Sequence, residues 1–213
     1  MARKFIEGLP CAGKSTLIKR LETDNEHIVH ELGRVIPANE FPGNGSSCQE
    51  IKQIDSWFID KEAQRIHDNQ DGYFDRSYLT HLAYAYAYSR LTGLNSFEQT
   101  IGDYQNATTE EKIVPPDEII YIKESPEESI KRQLRRIQLG HRALDKFWRD
   151  EYFLKDTVLA YEAIMECTEN VSITILDSLD PVGIHANMLE TVNNKSKSSP
   201  NIDLDAYISL MRG

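Results

Sequence analysis

The chain has 213 residues and a formal net charge of −10, with a sequence pI near 5.1, a balance that argues against non-specific attachment to nucleic acid or to an anionic membrane. The length suits one domain of ordinary size with a sizeable core, no stretch approaches the roughly 20 apolar residues of a membrane span, and no signal-peptide core precedes Glu7. Cys11, Cys48 and Cys167 are odd in number and lack metal-ligand spacing, so neither a disulfide framework nor a zinc site is expected, and a reduced, cytoplasmic protein is.

Arg3 to Glu7 reads as a short strand, and Gly8-Leu9-Pro10-Cys11-Ala12-Gly13-Lys14-Ser15 follows it at once. This run fits the phosphate-binding pattern G-x-x-x-x-G-K-[ST]. Ser15 to Leu21 then has the apolar spacing of an amphipathic helix, so strand, glycine loop and helix stand in the order the motif requires. The loop residues Gly8 to Gly13, with Lys14, Ser15 and Thr16, are therefore the expected nucleotide-binding set. Gly8 and Gly13 let backbone approach a phosphate, Lys14 is expected on the β- and γ-phosphates, and the Ser15 hydroxyl on Mg²⁺. Cys11, in a loop of converging N–H groups beside Lys14, is a candidate reactive thiol.

Further along, His27–His30 reads as a second strand with Glu31 directly after it, and Gly33–Ser47 as a turn-rich loop. Ser46–Asn69 has the spacing of one long helix, Tyr73–Asp75 that of a third strand, and Tyr78–Leu91 that of another helix. Residues 93–114 are polar and weakly periodic, and are read as an insertion holding a short helix. Glu118–Ile122 is an apolar run typical of a buried parallel strand. Pro126 behind Ser125 marks the start of a helix towards Leu139. Gly140–Asp150 interrupts the helical pattern, Glu151–Thr168 resumes it, Val171–Leu176 is a strand, and Pro181–Val192 is expected as a last core helix. One domain over 1–192 and a polar tail over 193–213 follow, with Ile202, Leu204, Ile208 and Leu210 positioned to dock on the chain's own body. Alternating strands and helices give an α/β fold, a parallel sheet of about five strands with helices on both faces.

Ligands of open parallel sheets sit beyond the carboxyl ends of the strands. Glu31 and Asp75-Arg76 occupy such ends. Either carboxylate suits a general base, Asp75 also suits Mg²⁺, and Arg76 suits an acceptor or a transition state. Lys131, Arg132, Arg135, Arg136 and Arg142 form a dense basic run in an acidic chain. Arg132, Arg135 and Arg136 share one helix face, able to close over a triphosphate as a lid spanning about 132–150.

Phe74-Asp75-Arg76-Ser77-Tyr78-Leu79-Thr80-His81-Leu82-Ala83-Tyr84 resembles the D-R-Y-x-x-S-x-x-A-Y-Q stretch of thymidylate kinases and the E-R-S motif of deoxynucleoside kinases. Glu31 matches the position of the nucleoside kinases' catalytic Glu, and Ser125-Pro126-Glu127 with the arginines behind it resembles their lid. The resemblance implies a P-loop NTPase three-layer sandwich and an ATP- and Mg²⁺-dependent phosphotransferase. It further implies a nucleoside or nucleoside monophosphate as small-molecule acceptor, no nucleic-acid or membrane partner, and a homodimer through the long helices. Glu31, Asp75, Arg76, Arg132, Arg136 and Arg142 join Lys14 as its expected catalytic set. A P-loop kinase of a non-nucleotide alcohol and a nucleotide-binding switch are the alternative readings.

Overall fold

In the computed structural model, which describes residues 2–177, 188–193 and 199–212, a central sheet runs in the order β2-β3-β1-β4-β6-β7. Its strands are β1 (Arg3–Gly8), β2 (Ile28–Val29), β3 (Gly72–Asp75), β4 (Glu118–Lys123), β6 (Ser172–Asp177) and β7 (Met188–Asn193). The first five named positions in that order pair in parallel, and β7 closes the β6 edge antiparallel. The expected helix over Pro181–Val192 is corrected here: Met188–Val192 belongs to β7, while residues 181–187 lie outside the described residues. The β-branched Thr191 and Val192 suit a strand, and the free edge of β6 supplies the hydrogen bonds.

The sheet buries both faces, as a parallel sheet must. Phe5, Phe74, Ile119 and Tyr121 point into one core with Tyr78, Tyr104, Tyr161 and Tyr207. Their chain neighbours Ile6, Ile120 and Ile122 point into the other, with Leu9, Ile18, Phe153 and Leu154. This period-two partition follows directly from strand geometry.

Helices α1 (Lys14–Thr23), α3 (Cys48–Asp68), α4 (Tyr78–Thr92), α6 (Pro126–Gln138) and α7 (Glu151–Glu166) form where the apolar spacing places them. Ser47, Ser77 and Ser125 cap α3, α4 and α6 by accepting from Glu50, Leu79 and Glu128 N–H groups, and left-handed Gly93 ends α4. Within the turn-rich passage after Glu31 stand two short pieces, α2 (Leu32–Val35) and a 3₁₀ turn at Ala38–Glu40. The polar passage 93–114 contains α5 (Phe97–Thr109), longer than a short helix and seated in the core through Phe97, Ile101 and Tyr104. Its weak periodicity reflects Thr100, whose hydroxyl is buried and donates to Asp55.

The C-terminal segment docks on the body. Strand β8 (Asn201–Ile202) pairs with β5 (Thr168–Glu169), and α8 (Leu204–Arg212) buries Leu204 and Tyr207. Among the described residues no helix is long and apolar enough to cross a membrane.

Candidate active site

The loop after β1 is held in a conformation that needs its glycines. Gly8 has φ +141°, and a Cβ there would stand 2.6 Å from the Ile122 carbonyl oxygen. Gly13 has φ +111° and leads into α1, whose N-terminus thus opens at the loop with its partial positive charge. Cys11 is left-handed without being glycine, at φ 59°, a strain typical of a functional loop. Leu9 and Ala12 are fully buried and anchor the loop from below. Pro10, Cys11, Gly13, Lys14, Ser15 and Thr16 line a cleft of about 1360 Å³, larger than the roughly 300–1,000 Å³ of a typical single-ligand pocket.

Lys14 is buried and its Nζ donates to the Gly8 and Leu9 carbonyls, at 2.7 Å each. Burial, and then the neighbouring Arg76 charge, push this amine down to about 7.

Across the cleft, the ends of β2 and β3 bring together four charged side chains that are far apart in sequence. Arg76 Nε pairs with Glu31 at 3.0 Å, and its Nη1 donates to the Tyr84 hydroxyl at 2.6 Å. Arg34 lies 3.3 Å from Asp75 Oδ2 and 3.7 Å from Glu31, and donates to Ser15 Oγ at 2.8 Å. The Asp75 side chain is 2 % exposed and its Oδ2 accepts no hydrogen bond, whereas Glu31 is 30 % exposed. Burial, then the Glu31 charge, raise the Asp75 carboxyl above its usual range.

Beneath this array the buried Arg65 of α3 donates to three backbone carbonyls: His30 at 3.0 Å, Asp75 at 3.3 Å and Arg76 at 2.5 Å. One guanidinium therefore ties the loop carrying Glu31 to the loop carrying Asp75 and Arg76, and holds Arg76 at its left-handed φ of 60°. Glu62 pairs with Arg65 at 3.1 Å. Deeper still, buried Glu7 accepts from Ser77 at 2.5 Å, from Thr80, and from Tyr161 at 3.3 Å. Its burial, only partly offset by those hydrogen bonds, raises its carboxyl.

The basic helix α6 leans over the loop. Ser129 Oγ donates to the Pro10 carbonyl at 2.7 Å, Arg132 Nη1 to the Cys11 carbonyl at 3.4 Å and Arg136 Nη1 to Cys11 Sγ at 3.7 Å. Arg132 is oriented by Glu124 at 2.8 Å and Glu128 at 3.2 Å. Lys131, Arg132, Arg135 and Arg136 all line the cleft. Arg142 is exposed in the stretch after α6 and is not part of the cleft wall.

A family model described as an AAA domain (AAA_28) matches residues 3–135, more than half of the chain and all of the loop, the charged array and most of α6. The chain belongs to the AAA domain family. No curated protein matches it significantly in sequence. Among solved structures, deoxyadenosine kinase from M. mycoides with products dCMP and a flexible dCDP bound superposes with a TM-score of 0.61 at 15% identity, covering 84% of this chain and 92% of that one. The same enzyme with bound dATP gives a TM-score of 0.60 at 18% identity, covering 84% and 93%. The AAA-domain chain therefore has the P-loop fold of that kinase.

The far end of the AAA-domain cleft is aromatic. Phe58 lies against His81 with ring centroids 4.4 Å apart, Phe41 against Phe58 at 6.4 Å, and Tyr84 against Trp148 at 4.5 Å. Burial pushes His81 down to about 4, so a neutral imidazole faces the cleft at pH 7, its Nδ1 2.5 Å from the Tyr104 hydroxyl. Of the residues expected from sequence, Lys14, Glu31, Asp75, Arg76, Arg132 and Arg136 meet in this one cleft. Arg34, Arg65, Phe41, Phe58 and Trp148 were not singled out by any motif, whereas His81 and Tyr84 of the aromatic wall lie in the Phe74–Tyr84 stretch. The one signal that could have found Arg65 is its charge at a core-facing position of α3, three residues after Glu62.

Proposed function

We propose that the chain is an ATP- and Mg²⁺-dependent kinase that phosphorylates a hydroxyl of a nucleoside, acting in the cytoplasm. The observation that carries this reading is the charge matching at the acceptor end. Arg34 faces Glu31 and Asp75, Arg65 faces Glu62, and Arg76 faces Glu31. A monophosphate acceptor would need guanidinium charge that is not already met by a carboxylate. A neutral, flat acceptor fits these pairs and the aromatic wall. The dCMP that is a product in the structure of deoxyadenosine kinase supports a nucleoside as that acceptor.

Glu31 is the base in this reading, because it is the more exposed carboxylate and Arg76 pairs with it and orients it at 3.0 Å. It accepts the proton of the attacking hydroxyl. Lys14 and the loop amides bind the β- and γ-phosphates, and Arg132 and Arg136 from α6 face the charge that spreads over the transferring group. Ser15 Oγ and Asp75 Oδ2 are hard oxygen donors on the same side of the cleft, and the unbonded, buried Oδ2 suits a cation. They would hold Mg²⁺ together with phosphate oxygens, since among the described residues no cluster of three acidic, His or Cys side chains forms a metal cage by itself. When bound, the ion supplies shielding of the phosphate charge. The exposed Leu91, Tyr152 and Leu159 on α4 and α7 support assembly as a homodimer, which sedimentation measures directly.

The test is product analysis by mass spectrometry after incubation with Mg²⁺-ATP and three acceptor sets: nucleosides, their 5′-monophosphates and unrelated alcohols. A nucleoside monophosphate as product is expected; phosphorylation confined to monophosphates or to unrelated alcohols would overturn the reading. Glu31→Gln is expected to keep ATP binding and to lower turnover by about 10²–10⁴-fold.

A further inference from the structure

The cation position of the phosphate site contains a side chain of the protein itself. Arg34 projects from α2, three residues after Glu31, and its Nη2 reaches Ser15 Oγ at 2.8 Å and Asp75 Oδ2 at 3.3 Å. Those are the two oxygens assigned above to the metal. The guanidinium has the charge sign such a site selects, and it pairs at 3.3 Å with a buried carboxylate oxygen that accepts no hydrogen bond. At 38 % exposure the Arg34 side chain is not locked in place by packing, and it also lies 3.7 Å from Glu31, so a second acidic partner is already within reach.

We propose that Arg34 is a built-in substitute for the divalent cation, which holds Ser15 and Asp75 together in the nucleotide-free protein and must be displaced when a metal-bound nucleotide enters. The proposal rests on the nucleotide-binding reading of the cleft and adds to it a competition between a side chain and a metal ion. Its consequence is a lopsided metal dependence. Metal-free ATP meets a site whose cation is already supplied by Arg34, so it binds better than a bare P-loop would allow. Metal-bound ATP works against the Arg34 contacts. Both effects shrink the ratio of the metal-free dissociation constant to the Mg²⁺-loaded one.

The experiment is calorimetric titration of ATP into the full chain, once in excess Mg²⁺ and once in EDTA, for the unmodified protein and for Arg34→Gln. A charge-assisted hydrogen bond plus a half-exposed ion pair is worth roughly a factor of ten. The EDTA-to-Mg²⁺ ratio of dissociation constants is therefore expected to rise about tenfold in Arg34→Gln, with Arg34→Lys between the two because lysine keeps the charge on a shorter side chain that reaches the two oxygens less well. A thermal unfolding midpoint near that of the parent verifies that the exposed substitution leaves the fold intact. A ratio unchanged within about twofold, or one that falls because Arg34→Gln weakens Mg²⁺-ATP more than metal-free ATP, would overturn the proposal while leaving the nucleotide site standing. A parent protein that binds no ATP under either condition would remove the nucleotide reading and the cation substitute along with it.

Discussion

Lys14 offers the most direct test of the phosphate site, because its charge in the free protein differs from the charge it needs when phosphate is bound. Buried, with its ammonium donating only to neutral carbonyls and Arg76 nearby, it is pushed from 10.5 down to about 7. A triphosphate against Nζ favours the charged form and returns the amine towards or above its ordinary value. Binding must then draw a proton from solution. With a free-state value of about 7, uptake is about 0.1 proton per nucleotide at pH 6, about 0.5 at pH 7 and about 0.9 at pH 8. Affinity is correspondingly flat below pH 7 and weakens towards tenfold per pH unit above it, about 1.4 kcal/mol each. The assay is calorimetry of ATP binding at pH 8 in buffers of different ionisation enthalpy, where the slope of observed heat against that enthalpy counts protons. A slope near zero with binding intact would refute the reasoning, and so would a slope that survives Lys14→Ala. The sign is the same for folding of the nucleotide-free chain. Between about 7 and 10.5 the unfolded lysine holds a proton that the folded one does not, so stability rises with pH across that window.

Three other outcomes follow from the geometry. Arg132→Ala or Arg136→Ala should lower kcat by about 10²–10³-fold, the usual loss when one donor to developing charge is removed, whereas Arg142→Ala, exposed and outside the cleft wall, should cost less; steady-state kinetics ranks the three, and an equal loss for Arg142→Ala would contradict the lid geometry. Gly8→Ala puts a Cβ 2.6 Å from the Ile122 carbonyl at φ +141°, so a loss of about 1–3 kcal/mol or more is expected in urea unfolding, and a parental midpoint would show the loop is not built as described. Tyr207→Ala empties a fully buried site under α8 and should cost about 3–5 kcal/mol; an unchanged melting temperature would mean that the C-terminal segment does not pack on the body.

The strands and most helices were legible because their apolar periods are strong and their ends carry Ser, Pro or Gly with a definite capping role, as at Ser125-Pro126 and Gly93. Legibility failed where burial is polar. Helix α5 carries the polar Thr100 on its core face, and its inward side is completed by a hydroxyl–carboxylate bond to Asp55 rather than by another apolar side chain. It failed again at Met188–Asn193, whose sequence carries no clear period, since only pairing with the β6 edge selects the strand at β7.

The candidate site divides along the same line. Residues fixed by local backbone chemistry, the Gly8–Ser15 loop and the arginine-bearing face of α6, announce themselves as spacing. Arg34 and Arg65 do not, because their roles are set by partners at distances in sequence that no motif records: Ser15 and Asp75 for the first, three carbonyls on two loops for the second. Counting arginines along the chain marks this cleft as a site for anions throughout. Pairing them reverses that conclusion at one end. There each guanidinium already faces a carboxylate, as Arg132 of α6 also does, so the attraction for phosphate is concentrated at the P-loop and at Arg135 and Arg136 of α6, and the acceptor end is left to recognise shape, stacking and hydrogen bonding. In the function proposed here, a triphosphate drawn to one end and a neutral ring to the other meet at Glu31, the more exposed carboxylate between them, which is the arrangement an in-line transfer to a hydroxyl requires.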